Sequence, residues 1–450
     1  MNVNRSKLKT LTYPQMIALG YLVIIITGTI LLALPWSNRG SAAPGLLSAL
    51  FTATSATCVT GLVVFDTYTQ WTPFGQLVIM LLIQVGGLGF MTIITLFSFL
   101  LGRKISLKER GLLRESVNTM YIGGIVRLTK KILVGTLLFE GLGAVLLSIR
   151  FVPRMGLAAG IYNGVFHSVS AFCNAGFDLM GKYGEYSSLV SFSGDWIVCL
   201  TVIVLIVVGG IGFFVWDDVL KHGHNFRKYQ LHTKLVITMT VFLIISGSIC
   251  FYAFERYNLL ANMKPGERVL ASLFASVTPR TAGFNTVEIS ALSPASKLLT
   301  MVLMFIGGSP GSTAGGIKTT TLAVILVSLW SSLVNSKSEN AFDRRLEDNA
   351  LKRASAVTTV NILLTFSAAF LICSANAGMK LEDVLFEVLS ALGTVGLSTG
   401  ITNSLNSTAQ IILILLMYSG RVGSLTFALI FTENRMSSTI QCPVEKINIG

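Results

Sequence analysis

Four short tracts of this 450-residue chain share one pattern, and its chemistry points to cations. Phe51-Thr-Ala-Thr-Ser55-Ala-Thr-Cys-Val-Thr60-Gly61-Leu62 recurs as Phe166-His-Ser-Val-Ser170-Ala-Phe-Cys-Asn-Ala175-Gly176-Phe177. The third copy is Leu273-Phe-Ala-Ser-Val277-Thr-Pro-Arg-Thr-Ala282-Gly283-Phe284, the fourth Phe386-Glu-Val-Leu-Ser390-Ala-Leu-Gly-Thr-Val395-Gly396-Leu397. Each has a bulky apolar residue ten positions before a glycine, a small or β-branched residue before that glycine, and Leu or Phe after it. Glycine has no Cβ and reaches positive φ freely, so its neighbours' carbonyls can point along an axis instead of into a helix ladder. Four such loops around one axis would form a ring of carbonyl oxygens able to replace a cation's hydration shell. The candidate tracts are Thr57, Cys58, Val59, Thr60 and Gly61; Cys173, Asn174, Ala175 and Gly176; Arg280, Thr281, Ala282 and Gly283; and Gly393, Thr394, Val395 and Gly396. The competing reading is that these glycines only let helices pack closely.

The elements around the tracts must hold them inside a bilayer. Apolar residues make up 52% of the chain and charged residues 12%, against roughly 25% charged in a soluble domain. Charge-free runs cover Thr10–Asn38, Thr67–Gly102, Trp196–Trp216, Leu235–Phe254, Ala354–Met379 and Val388–Gly420. About 20 apolar residues suffice for a spanning helix, so the chain reads as an all-α polytopic membrane protein. A second glycine pattern follows each first one: Val85-Gly86-Gly87-Leu88-Gly89-Phe90, Val208-Gly209-Gly210-Ile211-Gly212-Phe213, Ile306-Gly307-Gly308, and Ser419-Gly420-Arg421-Val422-Gly423. One repeated unit is therefore an apolar helix, a short re-entrant pore helix ending at a tract, and a second apolar helix. Four units predict eight spanning helices and four re-entrant ones around a pseudo-fourfold pore. Their expected bounds are 1–110, 111–222, 223–340 (with an intramembrane loop) and 341–450 with a C-terminal tail.

Charge placement orients the chain. The net charge is +13, and its excess falls on one side when the chain is threaded from Arg5, Lys7 and Lys9. That side collects Arg103, Lys104, Lys108, Arg110 and Arg114, then Arg127, Lys130 and Lys131, then Lys221, Arg227, Lys228 and Lys234, and finally Lys337, Arg344, Arg345, Lys352 and Arg353. The positive-inside bias puts both termini in the cytoplasm. It also accounts for the basic balance without nucleic acid, which is not expected as a partner. The six cysteines show no metal or disulfide spacing, and the N-terminus reads as a retained first helix.

Several polar residues interrupt the spans. Gly307, Gly308, Ser309, Pro310, Gly311, Ser312, Thr313, Ala314, Gly315 and Gly316 form a run of small residues and proline with poor helix propensity. Its glycine spacing imitates a nucleotide P-loop, but Ile317 separates Gly316 from Lys318 and the setting is membranous, so no nucleotide is expected on this chain. Arg421 should lie about 20 Å inward along a helix restarting near Thr408, at the position where the other copies carry Gly87, Gly210 and Gly308. There it is a fixed positive charge below the tracts, or else a tie between two helices. Glu140 is read as an inter-helix hydrogen-bonding group rather than an ion-transit site, and Arg280 as a tie on filter backbone or a nearby acid. Asp66, Asp178 and Glu288 follow the tracts, where they would either concentrate cations or sit as solvated loop charges. No catalytic constellation is read here: HExxH and paired intramembrane aspartates are absent, and the GxSxG spacing of Gly307-Gly308-Ser309-Pro310-Gly311 falls in the membranous glycine-rich run. An integral-membrane enzyme is thus the distant alternative.

The fourfold plan resembles the Trk/Ktr/HKT superfamily of K⁺ transporters, chiefly through Thr278-Pro279-Arg280-Thr281-Ala282-Gly283-Phe284-Asn285 and Gly86-Gly87-Leu88-Gly89-Phe90. Length, short loops and the terminal Glu445-Lys446-Ile447-Asn448-Ile449-Gly450 look most like the bacterial Ktr membrane subunit. The resemblance implies K⁺ uptake across the bacterial plasma membrane, with K⁺ on the filter carbonyls and Na⁺ as an activator. It also implies a gate in Gly307–Gly316, with Lys318 and Arg421 beside it, and a homodimer on a cytosolic ring of nucleotide-binding (RCK/KTN-type) regulatory subunits. Glycine at all four of Gly61, Gly176, Gly283 and Gly396 implies K⁺ selectivity. A less selective Na⁺/K⁺ pathway is the alternative.

Overall fold

A computed structural model describes residues 12–40, 45–89, 125–336 and 338–423, together with Thr92, Thr95 and Gly111. The basic residues Arg103, Lys104, Lys108, Arg110 and Arg114, the N-terminal Arg5, Lys7 and Lys9, Phe90, Lys337 and the terminal Glu445–Gly450 lie outside the described residues.

The helices run in four successive groups. Long apolar helices open each group: α1 (Tyr13–Ala33), α4 (Ile125–Met155), α8 (Leu231–Glu255) and α12 (Ala350–Ala375). All four are long and apolar enough to cross a membrane. They are apolar all round because one face meets protein and the other meets lipid. In α1 the protein face is Ile17, Tyr21, Ile25, Gly28 and Leu32, at helical spacing, while Leu19, Val23, Ile26 and Ile30 stay exposed. A short helix follows in each group: α2 (Leu46–Thr57), α5 (Leu157–Phe172), α9 (Pro265–Val277) and α13 (Leu381–Gly393). Then come the inner helices α3 (Pro73–Leu88), α6 (Trp196–Gly210), α10 (Pro294–Phe305) and α14 (Ser407–Val422). Each inner helix begins at a residue whose side chain accepts orphan backbone N–H groups, namely Thr72, Asp195, Ser293 and Asn406.

The inner helices are shorter than the spanning helices predicted from the sequence. At 16, 15, 12 and 16 residues, none alone reaches the ~30 Å of a hydrocarbon core. The second glycine pattern is the cause. Gly89, Gly212 and Gly423 take φ of 80°, 99° and 98° and stop their helices. After Gly212 the chain turns by 94° into α7 (Phe213–His222). The third inner helix stops at Phe305, and the chain resumes as α11 (Thr319–Leu333) only after the glycine-rich run. A two-stranded hairpin, β1 (Asn340–Ala341) and β2 (Arg344–Arg345), precedes α12.

Packing closes the groups into a ring. One apolar cluster runs from Leu32 and Ile83 through Phe166, Phe172 and Val202 to Phe274 and Phe284. Another joins Phe251 and Ala271 to Phe386 and Leu397. The last returns from Leu413 and Met417 to Ile25, Phe51 and Leu62, so the fourth group packs against the first.

Candidate functional site: the ring of four glycine tracts

The four tracts meet at the centre of this ring. Residues two before each glycine, Val59, Asn174, Thr281 and Thr394, have positive φ, as do Gly61, Gly176, Gly283 and Gly396 at 89°, 71°, 78° and 93°. The residue between them does not, so φ alternates in sign along each tract and successive carbonyls turn to one side. Proximity closes the circle. A Cβ placed on Gly61 would stand 3.2 Å from the Cα of Gly176, and one on Gly176 would stand 2.9 Å from the Cα of Gly283. One on Gly283 would stand 3.3 Å from the Cα of Gly396, and one on Gly396 2.9 Å from the Cα of Gly61. Each such Cβ would also collide with a carbonyl oxygen of the next tract: Ala175, Ala282, Val395 and Thr60 in turn. These glycines are thus required at the ring itself, beyond any role in helix packing.

Backbone N–H groups of the tracts are satisfied from behind. Thr60, Ala175 and Val395 donate to the carbonyls of Ser55, Ser170 and Ser390 at 2.8 Å, and Ala282 donates to Thr278 at 2.9 Å. The Ser55 and Ser390 hydroxyls accept from Gly61 and Gly396 N–H at 3.1 Å, while those of Ser170 and Thr278 donate to the Phe177 and Phe284 carbonyls. By contrast, the carbonyls of Thr60, Ala175, Ala282 and Val395 accept no protein hydrogen bond among the described residues. A ring of free, convergent carbonyls with its donors tied back can coordinate a dehydrated cation. The short helices α2, α5, α9 and α13 all end at the ring, so the negative ends of their dipoles face the same place.

The hydroxyl positions are a signal that the sequence held and that reading it left without a role. They also correct one alignment. Leu273 was paired with Phe51, Phe166 and Phe386, but the fully buried counterpart is Phe274. Thr278 then matches Ser55, Ser170 and Ser390, and the third tract is one residue shorter between helix and glycine. Pro279 supplies the reason, because it has no N–H to continue the helix. Arg280 departs from expectation as well: it is buried, its Nε has no partner, and no acid lies within ion-pair distance among the described residues.

Outside the ring is a cavity of about 500 Å³ whose floor includes all four ring glycines and whose walls include Asp66, Asp178, Glu185 and Glu288. Asp66 also caps the turn at Thr67, accepting from Tyr68 and Thr69 N–H at 2.9 Å. Burial pushes the Asp178 carboxyl up to about 7, against the Met180 N–H that favours its charged form, and repulsion from Asp66 adds to the rise. Asp178 is therefore charged at pH 8 and mostly neutral at pH 6. If the mouth concentrates cations, the half-saturating cation concentration should rise roughly two- to threefold as external pH falls from 8 to 6, the effect of one partly screened charge. Uptake assays at the two pH values check this, and Asp178→Asn should remove the dependence.

Inward of the ring, the glycine-rich run crosses beneath the tracts. Gly316 lies against Gly393, and a Cβ on Gly315 would collide with the Thr394 side chain. The run is pinned to the second group: Ser309 and Thr313 N–H donate to the carbonyls of Gly210 and Gly209 at 3.0 and 3.2 Å, and Phe213 N–H donates to Gly311 at 2.8 Å. Lys318 Nζ donates to the Ala314 carbonyl at 2.7 Å and closes the run on itself. Arg421 reaches it from the fourth group. One guanidinium nitrogen donates to the Thr313 carbonyl, and the other to the carbonyls of Gly86 and Gly87, the latter at 2.9 Å. Arg421 thus ties three groups together beneath the ring. Glu140 bridges helices as expected, accepting from Gln84 at 3.2 Å and from the Cys173 thiol.

The first glycine of the second pattern has a packing role. A Cβ on Gly86, Gly209 or Gly420 would collide with the carbonyl of Thr57, Phe172 or Leu392, at the foot of the same group's short helix. Gly86→Ala should therefore cost about 1–3 kcal/mol through overpacking against backbone. A lower melting temperature in detergent checks this, with Gly141→Ala, which meets nothing within 4 Å, as the neutral comparison.

A family profile described as TrkH, cation transport protein, matches residues 7–440. The chain belongs to this family. It is a multi-span membrane protein and a transporter, not an enzyme. It is 40% identical to the potassium/sodium uptake protein NtpJ of Enterococcus hirae, over 98% of each chain. To the Ktr system potassium uptake protein B of Bacillus subtilis it is 41% identical, over 95% of this chain and 94% of that one. The crystal structure of the potassium transporter TrkH from Vibrio parahaemolyticus superposes with a TM-score of 0.73 at 17% identity, covering 95% of this chain and 86% of that one, and shares the fold.

Proposed function

We propose that this TrkH-family protein takes up K⁺ across the bacterial plasma membrane, with both termini cytoplasmic, through the ring at Gly61, Gly176, Gly283 and Gly396. The observation that carries the reading is the closed circle of four tracts whose carbonyls are free and whose N–H groups are tied back. The relatives named for potassium uptake match nearly the full chain, so the same role is assigned here. The four repeated units are placed at 1–110, 111–222, 223–340 and 341–450. Gly307–Gly316, Lys318 and Arg421 form the gate, since the run lies across the path beneath the ring and is held there by backbone hydrogen bonds. Na⁺ stimulates transport. The chain works as a homodimer on a cytosolic ring of nucleotide-binding regulatory subunits, in line with a relative named as part of a Ktr system. Its own gate carries no nucleotide, because Ile317 breaks the P-loop core. K⁺ and Na⁺ flux in proteoliposomes, with and without the cytosolic partner, tests all of this at once. K⁺-selective flux that rises with Na⁺ and responds to the partner is expected. Equal K⁺ and Na⁺ flux would favour the Na⁺/K⁺ pathway suggested by the name of the Enterococcus relative.

A further inference from the structure

Two of the four short helices carry a titratable side chain at the same register. One residue after the buried Phe51, Phe166, Phe274 and Phe386 stand Thr52, His167, Ala275 and Glu387. Thr52 returns its hydroxyl to the Ser48 carbonyl of its own helix at 3.0 Å, and Ala275 has nothing to offer. His167 and Glu387 hold instead the chain that leaves the ring. His167 Nδ1 donates to the Asn163 carbonyl at 2.8 Å, which leaves Nε2 to accept the Leu179 N–H at 3.4 Å, three residues beyond Gly176. Glu387 Oε1 accepts from the hydroxyl of Ser398, two residues beyond Gly396, and from that of Thr402 at 3.1 Å. The ring order Gly61, Gly176, Gly283, Gly396 makes the second and fourth tracts the diagonal pair.

Glu387 is an expensive way to hold a strand. It is 1% exposed, its Oε2 has no partner, and no cationic side chain pairs with it among the described residues. Burying an ionisable group in this way costs free energy that an apolar residue would not, so fold stability alone does not explain a carboxyl group here. We propose that Glu387 is a positioning residue for ion selection, which through Ser398 and Thr402 holds the outer end of the fourth tract at the width that favours K⁺, while His167 holds the opposite tract. Carbonyl rings discriminate by their width or by the field of their dipoles, and both depend on how firmly each strand is held. The proposal rests on the reading of the four tracts as a filter.

The test measures K⁺ and Na⁺ flux ratios in proteoliposomes carrying the full chain. Glu387→Gln keeps an acceptor oxygen for both hydroxyls and should restore discrimination to within about twofold of the unaltered protein, since neutral acceptors replace charged ones at modest loss. Glu387→Ala should lower the K⁺/Na⁺ ratio about tenfold, as expected when one to two hydrogen bonds that hold the strand are lost. Ser398→Ala with Thr402→Val removes the donors, leaves the helix untouched, and should act like Glu387→Ala. That double variant decides the matter if Glu387→Ala does not fold. Thr52→Ala, at the same register but bonded only within its helix, should leave the ratio unchanged. An unaltered ratio in the Ala and double variants, whatever their total flux, overturns the proposal, and so does a Gln variant as impaired as the Ala variant. Gly61→Ser, run in parallel, separates the two levels. If it too leaves the ratio unaltered, the filter reading falls; if it lowers the ratio while the Glu387 variants do not, only the positioning role falls.

Discussion

Gly61→Ser should lower K⁺/Na⁺ discrimination by roughly tenfold or more, the equivalent of about 1.4 kcal/mol at the ring. Two effects act together. At φ of 89° an L-residue is strained by about 1–2 kcal/mol, which pulls the backbone away from the conformation that turns its carbonyls inward. The new Cβ would also collide with the Ala175 carbonyl oxygen of the neighbouring tract. A fixed backbone oxygen cannot yield as a side chain can, so the ring must widen or one carbonyl must turn out. Competitive K⁺ and Na⁺ flux in proteoliposomes measures the result. Gly45→Ala is the matched comparison, because a Cβ there meets nothing within 4 Å, and its ion preference should be unchanged. Discrimination preserved in a folded Gly61→Ser protein would reduce these glycines to packing residues.

Arg421→Ala should raise K⁺ flux several-fold and loosen its control by a cytosolic partner, without changing ion preference. Its guanidinium donates to Thr313 in the glycine-rich run and to Gly86 and Gly87 at the end of the first inner helix. Each charge-assisted bond of this kind contributes about 1.5–3 kcal/mol, so losing the set can move a closed-to-open equilibrium by an order of magnitude or more. Removing the charge also lowers the electrostatic barrier to a cation below the ring. Arg421→Lys keeps the charge but not the fork, since an ammonium is a point donor. Flux between those of the unaltered and Ala proteins is expected for Lys if both effects operate. A folded Arg421→Ala protein with ordinary flux and regulation would make Arg421 a structural tie. Changed ion preference without changed flux would move it to the filter.

Much of this architecture is visible in composition and repetition. The apolar spans, the four tracts and the glycines at their ends follow from rules that act locally: a bilayer demands about 20 apolar residues per crossing, and a backbone that must take positive φ selects glycine. Gly61, Gly176, Gly283 and Gly396 could be picked out for that reason, and Arg421 stood out as a charge among glycines at its register. Near-equal spacing of the tracts suggested a ring, though spacing alone does not bring residues more than a hundred positions apart into contact.

Tertiary structure decided the contacts between groups. Only packing of the fourth group back on the first brings Gly396 against Gly61 and closes the circle. The third tract's shortening at Pro279 was hidden because Leu273 and Phe274 are both bulky and apolar, and burial alone tells them apart. Inner helices look long because hydropathy is blind to φ, so Gly89 and Gly212 read as part of apolar runs while their positive-φ backbone in fact ends the helix there. The partners of Arg421 and Glu387 were equally out of reach. Their bonds go to backbone carbonyls and hydroxyls, groups that every residue or many residues carry, so sequence marks the charged donor or acceptor while the fold alone selects what it meets.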